Sequence, residues 1–276
     1  MRRTRVHGFA ALALTGAALM AMVPSAMAVA TWNLSGTCTN CSAATMTGMS
    51  AFSTVGNSGT TFLAAGLVSY GGGYGVTALN ANSSAAESTA TPNHSMDNSG
   101  FTDAVLLNFS SSVVLSQLLI GWSAWDSDVT VLRYKGSSAP TLAGNTIIGQ
   151  TVAGLVAVSN GWEAVGNYQT VASSVQADGG GANSVATNIN ANGLSSSWWL
   201  ISAYNSSYGG TNYGTIGSTS DYVKLLSVAG DKFVQQSAPE PGSLALVAAA
   251  LLAGFATRSR KGRSVESGGA LGGLAV

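Results

Sequence analysis

The chain has 276 residues, of which 46% are hydrophobic and only 8% are charged, and its formal net charge is zero. The charged fraction is about a third of that in an average soluble domain, but six Trp and eight Tyr exclude the composition of a disordered chain. Residues 29–238 contain four basic and nine acidic residues and therefore have a net charge of −5, which excludes the basic surface that nucleic-acid binding requires.

The first 28 residues have the three parts of a secretory signal peptide. A basic start (residues 2–5) precedes an apolar run (residues 9–23) and an Ala-x-Ala cleavage site (residues 26–28). The sequence therefore predicts a signal helix that engages the Sec machinery and is removed by signal peptidase after Ala28. The remaining chain would enter an oxidising compartment, where disulfides persist.

Two cysteines, Cys38 and Cys41, are separated by two residues. In an exported protein an even number of cysteines favours a disulfide. The same spacing occurs in thioredoxin-like redox sites, but those sites open a helix within a βαβ unit. The flanking residues are rich in Ser, Thr, Gly and Asn, so we expect a structural disulfide. Because it closes a short loop, its stabilising effect should be modest.

Residues 29–236 are predicted to form one all-β domain. Helical periodicity is almost absent, and short apolar or aromatic runs alternate with turns rich in Gly, Asn and Ser. The runs predict strands over residues 104–109, 115–120, 129–134, 162–168, 198–203 and 223–228. Many short strands joined by glycine-rich turns are typical of a β-sandwich or jelly roll, which is the fold we expect.

Asp126 and Asp128 follow an apolar run in the sequence Asp-Ser-Asp-Val-Thr. Carboxylates and loop carbonyls suit Ca²⁺, so the pair is a candidate metal site, with Asp103 and Asp221 as helpers. The haloacid-dehalogenase-like phosphatases share the pattern, but their α/β domain and further catalytic partners are not evident here. A third interpretation is structural, because charged residues at a strand end keep a sheet edge soluble. No other cofactor is expected.

The sequence contains no recognisable catalytic motif. His94 is the only histidine after the signal peptide, and it lies in a turn-rich segment that favours a solvated loop. The chain has neither a G-x-S-x-G nucleophile elbow nor an H-E-x-x-H zinc motif. We therefore expect that the protein is not an enzyme.

Trp198 and Trp199 are consecutive residues of a predicted strand, so their side chains should point to opposite faces of the sheet. Aromatic rings stack on apolar patches of ligands such as sugars, which makes this pair a candidate stacking site. Core packing is the competing interpretation, and we expect it for most of the tryptophans.

The C-terminal end contains a second targeting signal. Pro239, Glu240 and Pro241 precede an apolar run over residues 244–256. A basic cluster follows, formed by Arg258, Arg260, Lys261 and Arg263. The apolar run has no polar face, which favours a short transmembrane helix over a core helix. The basic cluster would hold that end in the cytoplasm.

The order of Pro-Glu-Pro, apolar helix and basic end resembles the PEP-CTERM sorting domain of Gram-negative bacteria. The resemblance covers residues 237–263 and implies that Pro239, Glu240 and Pro241 are recognised by exosortase, an integral-membrane cysteine protease or transpeptidase. Members of that family usually end soon after the basic cluster. Residues 264–276 extend beyond that point, and we expect them to form a disordered tail.

Six segments of the body resemble the exosortase-dependent surface protein family. They begin at residues 103, 119, 126, 161, 198 and 221. The two resemblances imply an exported protein that is held transiently in the inner membrane and then reaches the cell surface or the extracellular matrix. They also imply a structural or interaction role linked to exopolysaccharide. The alternative is a carbohydrate-binding module-like protein with structural calcium.

Overall fold

The computed structural model describes residues 29–41, 44–54, 61–70, 72–78, 92–140, 147–169, 185–233 and 250–251. The predicted signal peptide, Pro-Glu-Pro motif, basic cluster and tail lie outside these residues. Of the predicted transmembrane segment, Ala250 and Leu251 are described, and both are helical. No helix in the described ranges is long and apolar enough to cross a membrane. The chain divides into two compact units, Met1–Lys232 and Phe233–Val276.

The described part of the first unit is mostly β-strand and contains very little helix, which confirms the all-β prediction. The strands are β1 (Ala30–Asn33), β2 (Cys38–Thr39), β3 (Met46–Thr54), β4 (Phe62–Tyr70), β5 (Gly73–Thr77), β6 (Met96–Asp97), β7 (Asp103–Trp125), β8 (Val129–Tyr134), β9 (Trp162–Tyr168), β10 (Val185–Asn188), β11 (Ser196–Ala203), β12 (Asn212–Tyr213) and β13 (Asp221–Lys232). One helical turn, α1 (Val152–Leu155), and two 3₁₀ turns, Val158–Asn160 and Ser206–Tyr208, complete the elements.

The 23-residue strand β7 organises the sheet. Its first part pairs with β3 on one side and β11 on the other, and its second part pairs with β13 and β10. Two separate strands were expected here, but the intervening Ser110–Ser112 contains no turn-forming Gly or Pro, so the extended conformation continues. The pairing register with β3 and β11 shifts near Asn108, as expected where a bulge bends a strand.

The strands form one continuous sheet in the order β12-β9-β8-β11-β7-β3-β4-β5-β13-β1-β2. Because β13 also pairs with β7, the strands β7, β3, β4, β5 and β13 close a ring of hydrogen-bonded neighbours. The sheet therefore differs from the expected sandwich of two separate sheets. The closed ring gives this single sheet a barrel-like closure, and β7 takes part in it through both β3 and β13.

Two apolar clusters cover the two faces of the β8–β11 region. Val131 and Trp199 belong to the main core, which also contains Leu118 and Val228 from the second half of β7 and from β13. The next residues along the same strands, Leu132 and Leu200, belong to a second cluster that includes Leu155 of α1. Successive side chains of a strand point to opposite faces, and both faces are buried here, so apolar residues occupy consecutive positions in the centre of each strand.

The disulfide between Cys38 and Cys41 is present, as predicted. The two Cα atoms lie 5.9 Å apart. Asn40, between them, adopts a left-handed conformation with φ of 59°, which Asn tolerates better than most residues. The bond therefore closes a tight turn that begins in β2.

Candidate functional site

Three carboxylates converge where β7 ends and where β8 and β13 begin. One oxygen of each of Asp126, Asp128 and Asp221 lies within 4.8 Å of the others. The sequence singled out Asp126 and Asp128 and named Asp221 as a helper. Asp103, the other expected helper, is not in this group, and its Oδ2 accepts a hydrogen bond from the backbone nitrogen of Asp97 over 3.2 Å.

Strand pairing brings the three residues together. Asp221 is the partner of Trp125 in the antiparallel β7–β13 register, and Asp126 forms a parallel bridge to Asp221. The backbone nitrogen of Tyr222 donates to the carbonyl oxygen of Asp126 over 3.0 Å. The loop after β7 is therefore tied to the first residues of β13, and both aspartates of the Asp-Ser-Asp segment lie beside Asp221.

Asn98 holds the carboxylate of Asp221 from the opposite side. Its Nδ2 donates to Oδ2 of Asp221 over 2.6 Å and to the carbonyl oxygen of Tyr204 over 2.8 Å. Its Oδ1 accepts from the backbone nitrogen of Asp221 over 2.7 Å. Asn98 thus fixes both the backbone and the side chain of Asp221. Sequence reasoning missed it, because an isolated Asn carries no distinguishing pattern.

The segment before β13 supports the other two carboxylates. The backbone nitrogen of Gly217 donates to Oδ2 of Asp128 over 2.6 Å, and the hydroxyl of Thr219 donates to Oδ2 of Asp126 over 3.0 Å. A Cβ atom at position 217 would collide with the carboxylate of Asp126. The backbone approaches the cluster so closely here that any residue other than Gly at position 217 would force its neighbours to shift.

Burial makes ionisation of this cluster costly. Burial is the main cause that raises the pKa of Asp221 to about 8; the charges of Asp126 and Asp128 act in the same direction, and the hydrogen bonds from Asp128 and Asn98 oppose them. Burial also raises the pKa of Asp128 to about 6, with the hydrogen bond from Gly217 opposing it and the charge of Asp126 adding to it. Asp221 therefore favours the protonated form at neutral pH, and Asp128 is protonated below about pH 6, unless a cation compensates their charges.

A polar cleft of about 280 Å³ adjoins the cluster. It is lined by Asn98, Tyr204, Asn205, Ser206, Gly217, Ser218, Thr219 and Ser220. Three of these residues donate hydrogen bonds to the carboxylates. The cleft is thus joined to the carboxylates by hydrogen bonds.

Trp125 is the exposed aromatic residue of this region. Its side chain is 65% exposed, and its ring packs edge-on against Tyr222 with 5.2 Å between centroids. The residue has a left-handed φ of 51°, which is uncommon for a bulky side chain and marks the sharp end of β7. The sequence included Trp125 among the tryptophans that could stack on a sugar but did not single it out, because its exposure depends on this conformation rather than on spacing.

The tryptophans proposed for ligand stacking have different positions. Trp199 is fully buried in the main core, and its Nε1 donates to the carbonyl oxygen of Ser196 over 3.0 Å, so it offers no face to a ligand. Trp198 is half-buried and lines a cleft of about 170 Å³ together with Met49 and Pro140. The two side chains point to opposite faces of the sheet, as expected, but both faces are covered by other residues here.

His94 is buried, in contrast to the solvated loop position that was expected. Its ring lies against that of Tyr70 with 3.9 Å between centroids, and only 5% of the residue is exposed. The turn-rich segment around it packs against the sheet, since the short strand β6 that follows pairs with β13. His94 is therefore part of the packing of this domain.

Comparison with protein families finds a match at the C-terminal end: the PEP-CTERM protein-sorting motif aligns with residues 237–261. The chain carries a PEP-CTERM sorting motif. The matched range includes Pro239, Glu240 and Pro241 and all of the basic cluster except Arg263. No curated protein and no solved structure matches the chain. The PEP-CTERM motif implies an exosortase-targeted surface protein, which is exported and passes through a membrane-anchored intermediate.

Proposed function

We propose that the protein is a non-enzymatic component of the cell surface or extracellular matrix, with a structural or interaction role linked to exopolysaccharide. The PEP-CTERM motif at residues 237–261 carries this proposal. The Sec machinery would export the chain, and signal peptidase would cut after Ala28. The apolar segment 244–256 would hold the intermediate in the inner membrane until exosortase cleaves near Pro239–Pro241.

The geometry of the β domain supports a role, after processing, for its acidic edge, which is the part of the sheet that carries Asp126, Asp128 and Asp221. Ala30 at the start of β1 pairs with Gly230 near the end of β13, so both ends of the domain lie close together. Asp221 lies at the other end of β13, about 35 Å away at about 3.3 Å per residue. An attachment through the C-terminal side would therefore leave the acidic edge and Trp125 distant from the attachment point.

Intact mass and cell fractionation test the sorting proposal. In cells with the exosortase, we expect a surface or extracellular protein that begins at Val29 and lacks the segment beyond the Pro-Glu-Pro site. In cells without the enzyme, we expect an inner-membrane protein that ends at Val276. A full-length C-terminus in wild-type cells would show that the segment acts only as an anchor.

A matched pair of variants separates recognition from anchoring. Glu240→Ala lies in the Pro-Glu-Pro motif, whereas Glu266→Ala makes the same change in the predicted tail. We expect Glu240→Ala to accumulate as the uncut membrane form and Glu266→Ala to be processed like the wild type. Equal processing of both variants would contradict recognition through Glu240.

Glycan binding is a second candidate function, favoured by the exposed Trp125 and by the polar cleft, whose Thr219 donates a hydrogen bond to the neighbouring Asp126. An exposed indole can stack on a sugar ring, and the amide and hydroxyl groups of the cleft can bind its hydroxyls. Affinity electrophoresis in gels that contain exopolysaccharide from the source cells measures this binding. We expect Trp125→Ala to abolish the retardation and Trp198→Ala to retain it; the opposite result would move the site to the cleft beside Trp198.

A further inference from the structure

We propose that Asp126, Asp128 and Asp221 bind one Ca²⁺ ion at the sheet edge where β7, β8 and β13 meet. The inference depends neither on exosortase processing nor on glycan binding. It rests on three features of this edge: the convergence of the carboxylates, an orphaned buried oxygen, and the lack of an ion pair between these aspartates and any described Lys or Arg side chain.

The convergence is enforced by the fold. The three carboxylate oxygens lie within 4.8 Å of one another, a separation that one cation can bridge. Asp126 and Asp128 come from the loop that leads into β8, and Asp221 comes from the start of β13, so the group is not a local run of acidic residues. Backbone pairing between Asp126 and Asp221 keeps the two segments together.

Asp128 provides the second feature, which points directly to a ligand. Its side chain is fully buried, and its Oδ2 accepts the hydrogen bond from Gly217. Its Oδ1 is also buried and accepts no hydrogen bond from any residue that the structure describes. A buried ionised oxygen without a partner is strongly unfavourable, and buried polar atoms in native proteins are almost always satisfied. A bound cation would satisfy this oxygen.

The third feature is the uncompensated negative charge. Within the described ranges, no Lys or Arg side chain forms an ion pair with Asp126, Asp128 or Asp221. Like charges at this separation repel each other strongly when they are withdrawn from water. A divalent cation bound between the carboxylates would attract each of them and so outweigh their mutual repulsion.

The donor set selects a hard cation, and its surroundings favour Ca²⁺ over Mg²⁺. All three candidate ligands are carboxylate oxygens, and neither Cys nor His belongs to the group. Ca²⁺ accepts six to eight oxygens in flexible geometry, whereas Mg²⁺ needs a near-ideal octahedron. The adjoining cleft, with the hydroxyl of Thr219 and room for water, can complete an irregular shell.

Calorimetry and thermal unfolding of the full chain in detergent test the proposal. The protein is stripped with EDTA, freed of chelator and titrated with CaCl₂. We expect one Ca²⁺ per chain with a Kd on the order of 10⁻⁴–10⁻³ M, the range of extracellular modules. A tenfold excess of Ca²⁺ over Kd should raise Tm by about 3–6 °C. MgCl₂ at the same concentration should give a smaller shift.

Two aspartate variants with similar exposure locate the site. Asp126 and Asp231 are both half-buried, and Asp231 lies at the far end of β13. We expect Asp126→Asn to weaken Ca²⁺ binding at least about tenfold and Asp231→Asn to bind like the wild type, because only Asp126 is a ligand. Asp126 makes its side-chain hydrogen bonds to Ser127 and Thr219, at the edge of the domain, so its variant should fold.

Two outcomes would overturn the assignment. The first is the absence of both binding heat and a Tm shift in the wild type up to about 10 mM CaCl₂, ten times the weakest Kd expected. The second is binding of equal strength in the wild type and in Asp126→Asn, which would place any Ca²⁺ site elsewhere. Because the readouts are metal affinity and Tm, neither outcome depends on sorting or on glycan recognition.

Discussion

The backbone nitrogen of Asp128 donates a hydrogen bond to Oδ1 of Asp221 over 2.6 Å, although the two residues are 93 positions apart. This bond joins the start of β8 to the start of β13 and belongs to the same group of contacts that brings the carboxylates together. The charge on Asp221 is therefore held beside that of Asp128 by the fold, and its energetic consequences can be measured.

Stability of the calcium-free protein should fall as pH rises from about 4 to about 8. Burial raises the folded-state pKa of Asp128 to about 6 and that of Asp221 to about 8, above an unfolded value of about 3.9. In this window the folded state binds more protons than the unfolded state, so ionisation disfavours folding. Urea unfolding in EDTA at pH 5 and pH 8 should show a larger loss for the wild type than for Asp221→Asn.

The matched measurement adds Ca²⁺ at pH 8. If the cation compensates the negative charge of the cluster, the wild type should regain stability on addition of Ca²⁺, and Asp221→Asn should regain less. In EDTA, the wild type could instead gain stability between pH 5 and pH 8 relative to Asp221→Asn. That result would contradict the raised pKa values of Asp128 and Asp221.

Replacement of Trp199 should be far more damaging than replacement of Trp125. Trp199 is fully buried in the main core, so Trp199→Ala should lower the free energy of unfolding by about 3–5 kcal/mol. Trp125 is 65% exposed, and Trp125→Ala should change it by at most about 0.5–1 kcal/mol. Urea unfolding followed by circular dichroism measures both values. Similar losses for the two variants would mean that the two side chains do not differ in burial.

Two strand glycines should respond in opposite ways to Ala. A Cβ at Gly75 in β5 would collide with the backbone carbonyl of His94, so Gly75→Ala should destabilise the domain by about 1–3 kcal/mol. A Cβ at Gly48 in β3 meets no described atom within 4 Å, so Gly48→Ala should be neutral or slightly stabilising. Thermal unfolding of both variants checks the contrast, and equal Tm values would contradict the close approach of β5 to His94.

Asn190 should be the most sensitive asparagine around β10. Its Nδ2 donates to the carbonyl oxygens of Leu115 and Leu194, and its Oδ1 accepts from the backbone nitrogen of Leu194. Asn190→Ala would leave these buried groups unpaired, at about 2–4 kcal/mol. It would also place Ala at a left-handed φ of 55°.

The control for Asn190 is Asn188, which is exposed and accepts one hydrogen bond from Gln117 over 3.2 Å. Asn188→Ala should change the free energy of unfolding by less than about 0.5 kcal/mol. Chemical denaturation measures both variants, and a large effect at Asn188 with a small one at Asn190 would reverse the predicted roles of the two side chains.

Sequence patterns predicted the strands that are buried on both faces. The runs 129–134 and 162–168 coincide with β8 and β9, because β-branched and aromatic residues followed by turn residues favour strands. The strands β3 and β4 were missed, because the Ala and Gly residues that both contain have low β-propensity. The continuity of β7 was missed as well, because it depends on partners that pair across the bend.

The candidate site could be predicted only in part. The Asp126–Asp128 spacing pointed to oxygen ligands, and Asp221 was named without any means of placing it nearby. The convergence of the three residues depends on the antiparallel pairing of β7 with β13, which local sequence does not encode. Trp125 could not be distinguished from the other tryptophans for the same reason, since its exposure results from the way β7 ends.

The double pairing of β13 has a mechanical consequence. From Lys232 the chain continues towards the sorting segment, whereas Asp221 lies at the acidic end of the strand. Tension between an attached C-terminal side and a partner held at Asp221 would act along the axis of β13. The covalent backbone of β13 would carry that load directly, while the hydrogen bonds to β7 and β1, which run perpendicular to the axis, would keep the strand extended. The other strands of the domain would thus bear little of the tension.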